Sequence, residues 1–247
     1  MHNGLLFQVN PKEHLQKDIF WYGFYEKKYV LAWELLIRSN FSVADIGANA
    51  GYYSLVASKK ITSGAVYAFE PNGGCRKMIK ENIRINKIKN ISVSPLALSN
   101  NSGEKTLFIS EDDNTGMTGF TQAENFSGKI EVVACTSLDL WVDQNKIDQL
   151  NLIKMDIEGG EMDALEGMKN VIQFHRPGIF IEVCNELLQR FGNSSQDIFS
   201  FFEGYQYNGF RINAGNEIQK MHERFEDELV LFLPQEYVIP GDFKILN

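Results

Sequence analysis

Val43-Ala44-Asp45-Ile46-Gly47-Ala48-Asn49-Ala50-Gly51 carries an apolar run straight into a glycine turn, and Tyr52 to Lys60 behind it reads as a helix. Glycine at positions 47 and 51 permits unusual φ values and close backbone approach, which a nucleoside at the carboxyl end of a strand requires. Outward from this unit, short β-branched runs alternate with helical patterns, the signature of βαβ units and a parallel sheet. Ser42 to Ile46, Ala65 to Phe69, Ile91 to Ser94, Leu152 to Met155 and Ile179 to Val183 are the predicted strands of an α/β fold. Cys75 to Asn86 spaces Met78, Ile79 and Ile83 along a helical stripe, as Tyr25 to Ile37 does with Tyr29, Trp33 and Leu36. Glu104 to Ile109 and Ile130 to Ala134 read as strands flanking a polar stretch, Ser110 to Gly128, expected to be a mobile loop. A helix over Ser195 to Phe202 then precedes two strands, Tyr205 to Ile212 and Glu228 to Leu233, expected to pair as an antiparallel hairpin at one sheet edge.

The whole chain bounds the function. Its 247 residues, 44% hydrophobic and 23% charged, suit one globular catalytic unit, read as a helical extension over 1–40 packing on a catalytic domain over 41–247. No apolar run reaches the length of a membrane span, and Met1 to Asn10 lacks the features of a secretory signal, so a cytoplasmic protein is expected. Twenty-four basic against 32 acidic residues give a formal charge of −8 without a basic run, which argues against a nucleic-acid partner. Cys75, Cys135 and Cys184 form no C-x-x-C pair, so neither a zinc site nor a disulfide framework is expected. The acidic run Glu223, Glu226, Asp227 and Glu228 reads as a solvated surface.

Two acids define the ligand. Asp45 precedes the first glycine by two residues, where a carboxylate either orients the turn or holds an ammonium group. The second strand ends in Phe69-Glu70-Pro71-Asn72, which puts a carboxylate where a nucleoside's ribose diol is expected, although Glu70 equally suits a helix cap. Gly47-x-Asn49-x-Gly51 departs from the G-x-G-x-x-G of dinucleotide enzymes, whose helix N-terminus receives a pyrophosphate. S-adenosylmethionine has no pyrophosphate and carries an ammonium group, so it fits this pattern better. An NAD-dependent oxidoreductase is the alternative from another class.

The ordered motifs resemble the FkbM-type methyltransferase family from about Tyr25 to Pro234. Asp45 to Gly51 resembles the first family motif and Val66 to Asn72 the second, followed by Glu81-Asn82 with Asn86, Pro95 to Ser99, Ser102-Gly103-Glu104 and Thr136 to Asp139. Leu152-Ile-Lys154-Met-Asp156-Ile-Glu158-Gly-Gly-Glu161 resembles the most characteristic stretch, with Arg176-Pro177 and Ile181-Glu182-Val183 after it. Gly160 stands where the family often has Ala or another small or apolar residue. The resemblance implies a Rossmann-like class I methyltransferase fold, a three-layer α-β-α sandwich around a mostly parallel seven-stranded sheet with an antiparallel edge strand. It also implies S-adenosylmethionine as methyl donor and an oxygen of a sugar or natural product as acceptor. By similarity Asp45, Gly47, Ala48, Asn49 and Gly51 line the methionine and ribose side, Glu70 takes the ribose hydroxyls beside Pro71 and Asn72, and Ala97 borders the adenine.

Methyl transfer to oxygen is an in-line displacement, so acceptor positioning and deprotonation are the tasks left to side chains. Asp156 ends the fourth parallel strand, at the edge where open α/β sheets hold ligands, and is the first candidate for acceptor orientation or general base. Glu158 and Glu182 are the second candidates; Glu182 also has Lys154 and Arg176 as possible ion-pair partners. These three oxygen donors suit a divalent cation as well, but no metal site is predicted. Among His2, His14, His175 and His222 only His175 is a plausible base. Asn114 to Phe120 has the glycines of a loop that closes over an acceptor, and Trp21, Tyr22, Phe24 and Tyr25 suit either a sugar or the core. The expected reaction is O-methylation of a saccharide or glycan precursor, with a small natural product as the other acceptor class.

Overall fold

Side-chain alternation along the central strands settles the layering. Val43, Leu152, Phe180 and Leu231 enter one apolar cluster with the helix residues Trp33, Leu55 and Val56. Ala44, Ile153, Ile179, Ile181 and Val230 enter another with Trp141, Leu165, Ile198 and Phe202. Neighbours along each strand therefore point to opposite faces, and both faces are covered by helices, giving an α-β-α sandwich.

The computed structural model describes residues 4–9, 14–110, 118–121, 128–221 and 228–246. Its first half runs α1 (His14–Tyr22), α2 (Lys27–Leu36), β1 (Ser42–Ile46), α3 (Tyr52–Lys60), β2 (Ala65–Phe69), α4 (Gly73–Ile85), β3 (Ile91–Ser94) and β4 (Ala97–Leu98). Next come β5 (Gly103–Ser110), β6 (Gly128–Thr136), α5 (Leu138–Asn145), β7 (Leu152–Met155), α6 (Glu161–Glu166), a π-helical turn (Val171–His175) and β8 (Gly178–Val183). The last part holds α7 (Asn185–Gln189), α8 (Ser195–Gly204), β9 (Tyr207–Ala214), β10 (Glu217–Lys220), β11 (Glu228–Pro234) and β12 (Lys244–Leu246).

The main sheet has nine strands in the order β12-β10-β9-β11-β8-β7-β1-β2-β3. The seven strands expected from the resemblance are all present, from β3 to β9, but two more extend them and the antiparallel β11 is interior, between β8 and β9. The predicted pairing of the last two strands is observed, though not at an edge. The edge is made by β10, antiparallel to β9, and by the three-residue β12 beside it. Strands β5 and β6 pair antiparallel and, with β4, form a separate three-stranded sheet.

Local chemistry fixes the helix starts that matter for the cleft. Asn72 caps α4, its side-chain oxygen accepting from the Gly74 and Cys75 amides. Asn82 of α4 donates to the Ala50 carbonyl at 3.1 Å and accepts from the Gln8 amide at 2.8 Å, tying the glycine turn to the N-terminal segment. The expected loop residues 114–117, the acidic run 223–227, His2 and His222 lie outside the described residues.

Candidate active site

The carboxyl ends of β1, β2, β7 and β8 meet at one cleft, open to solvent on one side. Its floor is the turn after β1. Gly47 and Gly51 have φ of 76° and 85°, and Asn49 has 48°, so the two glycines and the asparagine occupy the left-handed region the sequence suggested. Gly47 is also a packing requirement, since an added Cβ would stand 1.9 Å from the Asp156 carbonyl oxygen.

Glu70 at the end of β2 reaches over this turn. One carboxylate oxygen accepts from the Asn49 amide and the other from the Asn72 amide, both at 2.8 Å. Burial pushes its carboxyl up to about 7 even though both amides favour the ionised form. Each oxygen keeps a lone pair for a hydroxyl donor. Gly47, Ala48, Asn49, Glu70 and Pro71 line the cleft, whereas Asp45, Gly51, Asn72 and Ala97 are buried and are not among its lining residues. Asp45 is buried and accepts from the Ser54 hydroxyl at 2.5 Å, while its Oδ1 has no hydrogen-bond partner.

The opposite wall is acidic. Asp156, Glu158 and Glu182, three acids singled out from sequence, all line the same cleft. Asp156 Oδ2 accepts from Lys154 Nζ at 2.9 Å, which leaves Glu182 without either expected partner, because Arg176 pairs with Glu236 at 2.7 Å. Glu182 Oε2 is buried with no hydrogen-bond partner. Burial first, then the charges of Asp156 and Glu158, hold its carboxyl well above the usual range; burial and Asp156 push Glu158 up to about 8. Glu161 turns back to accept from the Ile157 amide at 3.0 Å, while Gly160 occupies the α6 cap position without a side-chain bond. Among the described residues no three His, Cys, Asp or Glu side chains are arranged to hold a metal ion.

Several lining residues escaped the sequence reading. Lys154 is buried within β7 between Ile153 and Met155, and its ammonium lies 5.2 Å from the Tyr53 ring centre. Burial alone would lower it, but Asp156, Asp45 and Glu26 hold it above the ordinary lysine value. The available signal was a lysine inside an apolar strand, which needs counter-charges. Leu107 of β5 lines the cleft as well, beside Thr118 and Phe120 of the loop Asn114 to Phe120 that was singled out from sequence, and Gly119 bridges to Phe108. Of the N-terminal aromatics Tyr25 lines the cleft, while Trp21 and Tyr22 are exposed. His175 is at the other end of the sheet, its Nδ1 accepting from the Leu150 amide at 3.0 Å just before β7 begins.

Residues 45–212 match the family described as the methyltransferase FkbM domain. Hexuronic acid methyltransferase AglP of Haloferax volcanii is 29% identical over 131 residues, 52% of this chain and 50% of the relative. Methyltransferase 1 of Beauveria bassiana is 21% identical over 161 residues, 58% of this chain and 64% of the relative. The chain thus spans about half to two thirds of the length of these relatives. Among solved structures, precorrin-6y C5,15-methyltransferase from Geobacter metallireducens superposes with a TM-score of 0.47 at 12% identity, covering 92% of this chain and 91% of that one. On the match over residues 45–212 the chain belongs to the FkbM methyltransferase family, whose methyl donor is S-adenosylmethionine.

Proposed function

We propose that the chain is an O-methyltransferase that moves the methyl group of S-adenosylmethionine to a hydroxyl of a saccharide or glycan precursor. The observation that carries this reading is the single cleft in which Glu70 and the glycine turn face Asp156, Glu158 and Glu182. The donor half is Gly47, Ala48, Asn49, Glu70 and Pro71, with Asp45, Gly51, Asn72 and Ala97 as buried residues of the same half. The buried Glu70 carboxylate fits a ribose diol, because the residue lines the cleft and each oxygen, accepting one amide, keeps a lone pair.

When bound, the donor supplies an electrophilic methyl carbon: its C–S bond breaks as the C–O bond forms, and sulfur keeps the electron pair. The chain's side chains handle the acceptor. Asp156, fixed by Lys154, orients the hydroxyl, and Glu182 takes its proton, with Glu158 as the neighbouring acid. Tyr25 and Phe120 offer the flat surfaces on which sugars pack. In this reading residues 1–40 are a helical extension that contributes Tyr25 to a catalytic domain over 41–247. The relative from Haloferax is named for a hexuronic acid, so uronic acid glycosides are the first acceptors to try and small hydroxylated natural products the second. A pyrophosphate-bearing dinucleotide is disfavoured by the turn's spacing and by family membership.

The test is calorimetric titration with S-adenosylhomocysteine beside NADH, followed by transfer from radiolabelled donor to a glycan panel. Saturable binding that Glu70→Ala weakens about tenfold, with label in a base-stable ether, is expected. NADH binding in place of the homocysteine compound would overturn the reading.

A further inference from the structure

We propose that Glu26, which lies outside the segment matched by the family, is a positioning residue for Asp156, acting through Tyr53 and Lys154. This rests on the reading above, in which Asp156 orients the acceptor.

Glu26 occupies the N-cap position of α2, yet its side chain makes no capping bond. The carboxylate turns inward: its Oε2 accepts from the Tyr53 hydroxyl at 2.8 Å. To do so the residue holds φ 48° and ψ 50°, a backbone state that favours glycine. A capping role would use the side chain locally and would leave this conformation unexplained.

On the other side of Tyr53 is the Lys154 ammonium, over the ring at 5.2 Å and 2.9 Å from Asp156 Oδ2. Lys154 is 4% exposed, so one carboxylate bond leaves a buried cation with donors to satisfy. Its counter-charges come from different elements: Asp45 of β1, Asp156 after β7, and Glu26 ahead of α2. Glu158 and Glu182 face the same Asp156 from the cleft. Taking away Glu26's charge removes one of three anions around the ammonium, so Lys154 is held less firmly in the place from which it fixes Asp156. The N-terminal segment thereby sets the geometry of an acid that sits more than a hundred residues later in the chain.

The test compares Glu26→Gln and Glu26→Asp with wild type, using the nitrogen-15 NMR signal of the Lys154 ammonium, assigned by its loss in Lys154→Met, together with kinetics. In Glu26→Gln the ammonium protons are expected to exchange with water about tenfold faster, equivalent to one unit in pKa. The turnover number should fall about tenfold or more while the donor KM stays within about twofold, because misplaced groups cost rate more than affinity. Glu26→Asp should recover part of both signals. An unchanged Lys154 signal overturns the proposal, as does a rate loss that tracks melting temperature and is not recovered by Glu26→Asp. Should wild type transfer no methyl group, the functional reading falls, and the NMR comparison still decides whether Glu26 holds Lys154.

Discussion

At the scale of single residues, Glu182 and Asp156 divide the work by their partners. Asp156 has a lysine 2.9 Å away, whereas Glu182 Oε2 has none and is buried among acids. Burial and like charges both favour the protonated form, so the group becomes a competent base only as pH rises. The rate should therefore climb through about pH 9, just above the value of about 8 to which Glu158 is pushed. A bound sulfonium adds positive charge and eases ionisation, so the limb in kcat is expected at lower pH than the limb in kcat/KM. Glu182→Gln should lower kcat about 100-fold, and Glu158→Gln less. A Glu182→Gln enzyme with wild-type rate and limb would move the base elsewhere. The sequence named these acids because a charged residue near the end of an apolar strand needs a reason. It left Lys154 as a passing ion-pair option for Glu182 and missed Tyr53, because nothing in linear spacing tells which cation a carboxylate meets once strands pair.

Among elements, the parallel strands were legible and the edge formed by β10 and β12 was not. β1, β2 and β7 begin and end where the mostly apolar runs do, as strands covered on both faces must, and β3 was legible from the alternation of Ile91-Ser92-Val93-Ser94. Glu217-Ile218-Gln219-Lys220 offers one apolar residue and Lys244-Ile245-Leu246 only three positions, so β10 and β12 carry too little pattern to be read. The sheet therefore runs two strands beyond the expected seven. The helix over Lys27–Leu36 was legible from its stripe, and its anchoring can be tested at Trp33. This ring is fully buried, edge-on to Tyr53 at 5.8 Å and to Phe180 at 5.3 Å, and so joins α2 to α3 and β8. Trp33→Ala should cost about 3–5 kcal/mol of stability in denaturant unfolding. The exposed Trp21→Ala should stay within about 0.5 kcal/mol. Equal effects would mean that α2 is not fastened through Trp33.

Over the whole molecule, the buried acids set how stability responds to pH. Glu70 and Glu161 are pushed up to about 7 and Glu158 to about 8, and burial raises Asp45 and Glu182 too. Unfolded, carboxyl groups titrate near 4 to 4.5. Between that range and about pH 8 the native protein binds more protons than the unfolded chain, so stability falls as pH rises. Lys154 does not disturb this window, because its folded value lies above the ordinary lysine value and its contribution is fully present at lower pH. His175 is shifted downward and opposes the trend around its ordinary value of 6.5. The melting temperature is therefore expected to be higher at pH 5.5 than at pH 8, at about 2–4 °C per kcal/mol for a chain of this size. Net charge alone predicts the same sign, since −8 at pH 7 grows more negative with rising pH and repels itself. Glu70→Gln separates the causes. It changes overall charge by one unit at most but removes one of the fully buried titrating groups, so it should flatten the slope between pH 5.5 and 8 while the wild type keeps it. An unchanged slope in Glu70→Gln would assign the trend to surface repulsion and leave the cleft without a thermodynamic signature of its acids.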